Sequence, residues 1–212
     1  MNRRGPYARG RETRESILQV ALEVIGDRGY GATTLKEIAA AVGMTQAGLL
    51  HHFGTKETLL IEVLRKRDDV SRTIVGSDGA DGQPLLIRLA RRNLEIRGLI
   101  ALFVHLEAAA GDPDHPCHAY FVERDRIVHE RIRSDIEHRQ TEGTFRADVD
   151  PSKIARIMLA LSNGLQAQWV IDSSIDLPGA LEYLWGQFVT TPGMRMVANA
   201  VPPLEKATPA DD

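Results

Sequence analysis

The chain is poor in the features that announce several large classes of protein. It has one cysteine, Cys117, in 212 residues, which excludes an intramolecular disulfide framework. No apolar run approaches the ~18 residues that a spanning helix needs, so no membrane partner is expected. The start is Arg-rich but no apolar stretch follows it, so no secretory leader is read there and a cytoplasmic protein is expected. There is no excess of positive charge: 26 Lys and Arg stand against 29 Asp and Glu, for a formal net charge of -3. The phosphate-binding loop, the dinucleotide glycine motif, His-Glu-x-x-His and Gly-x-Ser-x-Gly are all absent. His115, Cys117 and His118, with His105 and Glu107 upstream, include zinc-ligand types. Two ligand types side by side in a Pro-containing connection read more simply as a polar link between helices. Neither an enzyme, nor a cofactor, nor a metal site is expected.

What is present begins with charge that is unevenly placed. Arg3, Arg4, Arg9, Arg11 and Arg14 are opposed by Glu12 alone in the first fourteen residues. Such an arm can follow phosphates or enter a minor groove, or serve as a solubilising tail. The most informative stretch follows, Thr33 to Leu60. Thr34 and Glu37 have the spacing of a capping box. Leu35, Ile38, Ala39 and Val42 then recur at helical spacing. Gly43 stands where a left-handed C-cap is expected, and Thr45 is a good N-cap for a second helix running to about His52. Two helices joined by a short Gly-containing turn form a helix-turn-helix, whose second helix enters the major groove. The bland alternative is a helical hairpin with a glycine kink.

The residue types on that second helix suit a groove. Gln46 can pair with adenine through two hydrogen bonds, and Ala47 can touch a thymine methyl. Gly48 costs roughly 1 kcal/mol against Ala in a helix, but lets backbone approach closely. His51, His52 and Thr55 can donate to phosphates, and Lys56 opens the next helix, where backbone N–H groups favour an anion.

The segment GMTQAGLLHHFGTKETLL resembles the DNA-binding core of the tetracycline-repressor (TetR) family. Gly43, Met44, Thr45, Leu49, His52, Phe53, Lys56, Glu57 and Leu60 occupy matching places, and the likeness extends over Arg11 to Leu64. Leu50 departs from it, standing where the family usually has Tyr, so a hydroxyl expected to reach the DNA backbone is replaced by apolar contact. The resemblance implies an all-α fold with a three-helix DNA-binding domain, a connecting fourth helix and a larger helical regulatory domain. It makes Thr34, Thr45, Gln46, Ala47, Gly48, Leu50, His51, His52 and Lys56 the expected DNA-binding residues, and a double-stranded operator the partner.

The rest of the chain also reads as helix, with no internal repeat and no surviving strand. Expected helices cover Arg11–Arg28, Lys56–Val75, Pro84–Gly98, Leu99–Ala110, His118–Thr141, Pro151–Ser173 and Leu177–Thr190. With the two of the reading unit, that makes nine. Residues 76–83 read as a polar, Gly-rich loop. Pro192, Pro202, Pro203 and Pro209 mark an irregular tail. The expected divisions are 1–54 for DNA binding with the basic arm, 55–191 for ligand binding and dimerisation, and 192–212 for the tail.

EGTFRADVDPSKIARIMLALSNGLQAQWVIDSS is similar to regulatory domains of the same family, especially the betaine-type repressors. Ile154, Ile157, Met158, Leu161, Leu165 and Trp169 share a helix face, and Leu181, Leu184, Trp185 and Phe188 form a second stripe. Two such helices from each of two chains could build a four-helix bundle; alternatively both stripes build the core of one chain. The resemblance implies a homodimer, with Leu161, Leu165, Gln168, Leu181, Leu184, Trp185 and Phe188 as expected interface residues. It also implies a small-molecule effector. Phe103, His105, Leu106, Glu107, Tyr120, Phe121, Arg124 and Trp169 are the expected effector contacts, each also open to a packing role.

Overall fold

The computed structural model describes residues 6–76 and 83–190. Arg3 and Arg4 of the basic arm, most of the expected Gly-rich loop and the tail after Pro192 lie outside the described residues. Among those described, all regular elements are helical. They are α1 (Pro6–Arg28), α2 (Leu35–Ala41), α3 (Gln46–Phe53), α4 (Lys56–Gly76), α5 (Leu85–Leu94), α6 (Arg97–Ala109), α7 (His118–Thr141), α8 (Pro151–Ile171) and α9 (Leu177–Gly186). A single 3-10 turn, Tyr30–Ala32, links α1 to α2. No helix among the described residues is long and apolar enough to cross a membrane.

Helical spacing of apolar residues builds two cores. Ile17, Leu18, Ala21 and Ile25 of α1 meet Leu59, Leu60, Val63 and Leu64 of α4, and the same cluster takes in Leu102, Phe103 and Leu106 of α6 and Tyr120 and Phe121 of α7. The second core joins α5, the latter part of α7, α8 and α9 around Met158, Phe145 and Trp185. The first three helices therefore share a core with α6 and the start of α7, through α4.

Several element ends differ from the expectation. The first helix begins at Pro6 rather than Arg11, and α8 stops at Ile171, where Asp172 N–H closes onto Gln168 O at 2.8 Å. The expected Pro84–Gly98 helix stops at Leu94, with Pro84 as its N-cap, and α6 starts at Arg97. The break serves a close crossing. Gly98 is buried, and a Cβ there would run into the Ile25 carbonyl of α1. Gly26 faces the same crossing, where a Cβ would stand 2.7 Å from Ile96 Cγ2. A continuous helix could not both pack on α4 and bring Gly98 against α1.

The last helix ends at Gly186, not Thr190. Arg146 N–H donates to Phe188 O at 2.9 Å and Thr190 N–H to Thr144 O at 3.0 Å, around an isolated antiparallel bridge between Phe145 and Val189. Phe145 packs between Trp185 and Phe188, with ring centroids 4.9 and 5.7 Å away. Backbone pairing and aromatic packing outweigh one further helical turn.

Candidate nucleic-acid interface and regulatory cavity

The helix-turn-helix is held by its own backbone chemistry. Thr34 N–H donates to Glu37 Oε2 at 2.8 Å and Glu37 N–H to Thr34 Oγ1 at 3.3 Å, a complete capping box. At the other end of α2, Met44 N–H donates to Ala39 O (2.9 Å) and Gly43 N–H to Ala40 O (3.1 Å). That pattern needs a left-handed residue at Gly43, whose φ is 72°. Thr45 Oγ1 accepts from Gly48 N–H at 3.1 Å and opens α3.

The inward side of α3 is Leu49 and Phe53. Thr34, Thr45, Gln46, Ala47 and His51 are exposed, and Gly48, Leu50, His52 and Lys56 are half-buried. Supporting contacts fix the orientation of α3. The Arg14 guanidinium lies 4.3 Å from the Phe53 ring, donates to His52 O and sits 3.9 Å from Glu62. Arg28 bridges to Glu37 at 3.3 Å, joining α1 to α2. Lys56 Nζ stands 5.7 Å from the Tyr30 ring. The Thr55 hydroxyl accepts from Thr58 N–H at 3.1 Å, a cap for α4. A convex face of small and polar side chains thus stands at one end of α4.

Further along α4, a cavity of about 200 Å³ opens between α4, α5, α7 and α8. Leu85, Leu86, Leu89, Ile127, Val128 and Leu159 give it apolar walls, while Asp68, Tyr120, Arg124, Asn163 and Gln166 supply polar groups. Asp68 is the centre of a buried charge cluster. Its Oδ1 accepts from Arg67 Nη2 at 2.8 Å, and its Oδ2 from Tyr120 Oη at 3.0 Å and Arg124 Nε at 3.2 Å. Burial alone would raise the Asp68 pKa, but Arg67 and Arg124, with the Arg67 and Tyr120 hydrogen bonds, bring it below the usual value. Burial first, then the Asp68 charge, pushes the Tyr120 hydroxyl strongly upward, so it stays a donor. Both guanidiniums lie over Phe103, at 5.2 Å for Arg67 and 4.5 Å for Arg124.

Of the expected effector contacts, Tyr120 and Arg124 line this cavity. Phe103, Leu106 and Phe121 fill the first core instead. Glu107 lies behind the wall, accepting from Asn163 Nδ2 at 2.6 Å. Burial and the Asp125 charge raise its pKa. His105 stacks on Tyr30 with ring centroids 4.7 Å apart, and Trp169 lies under Arg97 at 5.2 Å. These six are absent from the cavity wall because α6 and, at the start of α7, Phe121 turn away from it, and Trp169 lies beyond the cavity along α8. His115 Nδ1 accepts from Cys117 N–H at 3.2 Å, and His118 Nδ1 meets Ala110 O at 2.8 Å, so both rings brace the α6–α7 connection. Cys117 is buried; burial and Glu57 push its thiol up.

The expected interface residues divide in a similar way. Leu165, Leu181 and Trp185 are buried in the second core, which removes them from the surface of one chain. Leu161, Leu184 and Phe188 are half-buried and Gln168 is exposed. The outward stripe of α8 is Ile157 (50 % exposed), Ala160, Leu161, Gly164, Gln168 and Ile171 (86 %), and α9 beside it adds Tyr183 (74 %).

Comparison with known proteins places this architecture. The family model for the N-terminal region of bacterial regulatory proteins of the tetR family matches residues 17–63. The transcriptional repressor KstR2 of Rhodococcus jostii is 31 % identical over 148 residues, covering 65 % of this chain and 70 % of that protein. The chain belongs to the TetR family. The regulator BetI of Rhizobium meliloti is 44 % identical over 61 residues, 26 % of this chain and 30 % of that one. Two solved structures share the fold. A TetR regulator from Haloarcula marismortui is 19 % identical with a TM-score of 0.68, covering 84 % of this chain and 99 % of its own. A candidate regulator from Saccharomonospora viridis, crystallised with choline, is 24 % identical with a TM-score of 0.67 over 85 % and 99 %.

As a TetR-family member the chain is a DNA-binding transcriptional regulator and not an enzyme. The cavity also shows what the sequence reading passed over: Asp68, Asn163 and Gln166. A signal was there. Arg67 continues the Leu60, Val63, Leu64 face of α4, so a charge had to be buried, and its neighbour Asp68 could neutralise it. Ser162 and Gln166 likewise interrupt the apolar face of α8 at a spacing of four.

Proposed function

We propose that this regulator is a homodimeric repressor that binds a pseudopalindromic operator through α3 and is released by a small-molecule effector. The observation that carries the reading is the exposed α3 face, capped at both ends and braced by Arg14, with side chains that can meet a groove. Gln46 and Ala47 would contact base edges, Gly48 would allow close approach, and Leu50 would make apolar contact. Thr34, Thr45, His51, His52 and Lys56 would stand against the phosphates. Residues 1–54 would form the DNA-binding domain with its arm, 55–191 the ligand-binding and dimerisation domain, and 192–212 a tail. The outward stripe of α8 and α9 supports a dimer, because large apolar groups such as Ile171 and Tyr183 stand in water without it. A dimer sets two reading helices about one DNA turn apart, ~34–36 Å. The protein would work in the cytoplasm, where its DNA is.

The cavity beside α4 would be the effector site. An effector weakens DNA binding only if it prefers the conformation with misplaced reading heads. Two links could carry that preference: α4, which runs from Lys56 to the cavity wall, and the Gly26–Gly98 crossing of α1 and α6. The likeness to BetI and the choline-bound neighbour favour a second, narrower reading, a betaine-type regulator with a quaternary ammonium effector.

The test is binding of the pure protein to labelled DNA from upstream of its own gene, against scrambled competitor, over a salt series. Selective binding by two chains per site is the expected result; unselective binding by single chains would overturn it. Lys56→Ala should weaken all sequences alike and shallow the salt slope by about one contact per half-site. Gln46→Ala should instead relax base preference by ~1–3 kcal/mol per half-site.

A further inference from the structure

We infer that the effector is an amphipathic carboxylic acid whose acid group takes the place of Asp68 on Tyr120 and Arg124. This rests on the cavity being the effector site. The cavity holds about 200 Å³, about seven water volumes. That suits an apolar body of medium length against Leu85, Leu89, Ile127 and Leu159.

The polar end of the cavity is already built for a carboxylate, because it holds one. Tyr120 Oη and Arg124 Nε, both in the cavity wall, donate to Asp68 Oδ2 at 3.0 and 3.2 Å. Arg124 Nη1 is buried without a hydrogen bond, 3.9 Å from Asp125 Oδ1. A ligand carboxylate could take the two donors that Asp68 Oδ2 uses. Charge-assisted hydrogen bonds are the stronger kind, and a two-oxygen acceptor fits a guanidinium edge. Gln166, only 5 % exposed, also lines the cavity; its Nε2 donates to Ser162 O at 3.2 Å and its Oε1 is buried without a hydrogen-bond partner.

The exchange does not strand Asp68. Its carboxylate would swing off Tyr120 and Arg124 and keep Arg67, the adjacent residue of α4, which holds Oδ1 at 2.8 Å before the exchange. The bonds lost are those between α4 and α7, while the bond kept lies within α4. The ligand thus removes a tether between the reading head's supporting helix and the regulatory body, and supplies the difference in contacts that coupling requires.

A cation fits less well. The three acidic residues of the wall have interactions already: Asp68 with Arg67 and Arg124, Glu123 with Arg126 at 2.7 Å, and Asp69 with a group of its own. Among the described residues Tyr120 is the one aromatic ring lining the cavity, whereas quaternary ammonium recognition uses several aromatic faces.

The experiment is titration calorimetry of the full chain with octanoate, octanol and octyltrimethylammonium, on wild type and Asp68→Asn, with operator binding measured alongside. Octanoate should bind about tenfold or more tighter than the other two, the scale of a charge-assisted contact. Asp68→Asn should bind octanoate several-fold tighter, hold operator more weakly without ligand, and lose the response of operator binding to octanoate. Equal or tighter binding of octanol or octyltrimethylammonium would overturn the inference. So would no octanoate binding at millimolar concentration in wild type, or unchanged or weaker octanoate affinity in Asp68→Asn. If the headgroup order and the Asp68→Asn gain hold but octanoate leaves wild-type operator binding unchanged, the ligand assignment stands and the effector-site reading fails.

Discussion

Gly48 is a residue whose presence the fold does not explain. Its φ is not positive, and a Cβ there would meet Thr45 Oγ1 at 3.4 Å, ordinary contact. Glycine inside a helix costs roughly 1 kcal/mol against alanine, so α3 carries an instability that the chain's own packing does not require. An external surface approaching the helix accounts for it. Gly48→Ala should therefore raise stability by ~0.4–1 kcal/mol in urea unfolding, while weakening operator binding in the same preparation. A variant both more stable and tighter on DNA would rule out close approach at this position. Residues of this local kind were legible in the sequence. Thr34, Glu37, Gly43 and Thr45 act within four positions of themselves, and their roles in capping and turning follow from spacing alone. Tyr120 and Arg124 were legible as polar groups on a half-apolar helix, but Asp68 and Gln166 were not. Arg67 beside Asp68 marks a buried charge, but Tyr120 and Arg124, which place that charge at the cavity, are 52 and 56 residues away, and Gln166 meets only Ser162 O on its own helix.

At the scale of elements, the contacts that sequence spacing does not encode are the crossings. The α5–α6 break, expected between Gly98 and Leu99, falls at residues 95–96, which no proline or loop composition marks. It exists because Gly98 must reach the α1 backbone. Gly98→Ala would drive a methyl group into the Ile25 carbonyl, where backbone rather than a side-chain end must yield. The expected cost is about 3 kcal/mol, the upper end for overpacking, read as a lower urea midpoint at unchanged slope. Gly10→Ala, within α1 with open space around its Cβ, is the control and should gain ~0.5–1 kcal/mol. The α4–α7 tether has its own signature. Because Arg67 and Arg124 depress the Asp68 pKa against its burial, its contribution is present above the unfolded-state value and is lost as pH falls through the folded one. Thermal melts of wild type and Asp68→Asn should differ at pH 7 and draw together only as pH falls below the unfolded-state value, about 3.9, and through the lower folded one. Curves that stay parallel down to the lowest pH at which wild type still folds would show that the ionised carboxylate is not what stabilises this contact.

For the whole molecule the deciding question is which apolar surface remains once one chain has folded. The sequence offered two stripes, on α8 and α9, for either core or partner, and the fold buries part of each while leaving part of the α8 stripe at the surface. Leu165, Leu181 and Trp185 close the second core. Ile157, Ala160, Gly164 and Ile171, with Tyr183, remain outside. Small residues at 160 and 164 leave room for another helix to approach, since nothing lies within 4 Å of a Cβ built on Gly164. A substitution on this face should cost the single chain little, within about 0.5 kcal/mol for an exposed site, and yet be costly across a symmetric interface, where each change occurs twice. Ile157→Glu and Gly164→Glu should accordingly sediment as monomers while keeping wild-type helicity. Each monomer would retain an intact reading head, so operator affinity should fall by about 10²–10⁴, the loss expected when two linked contacts become independent. The measurement that separates this from simple unfolding is half-site binding, which should survive in both variants at wild-type strength. If both variants remain dimers, the partner surface lies elsewhere, and the exposed side chains of α8 and α9 must face some other molecule.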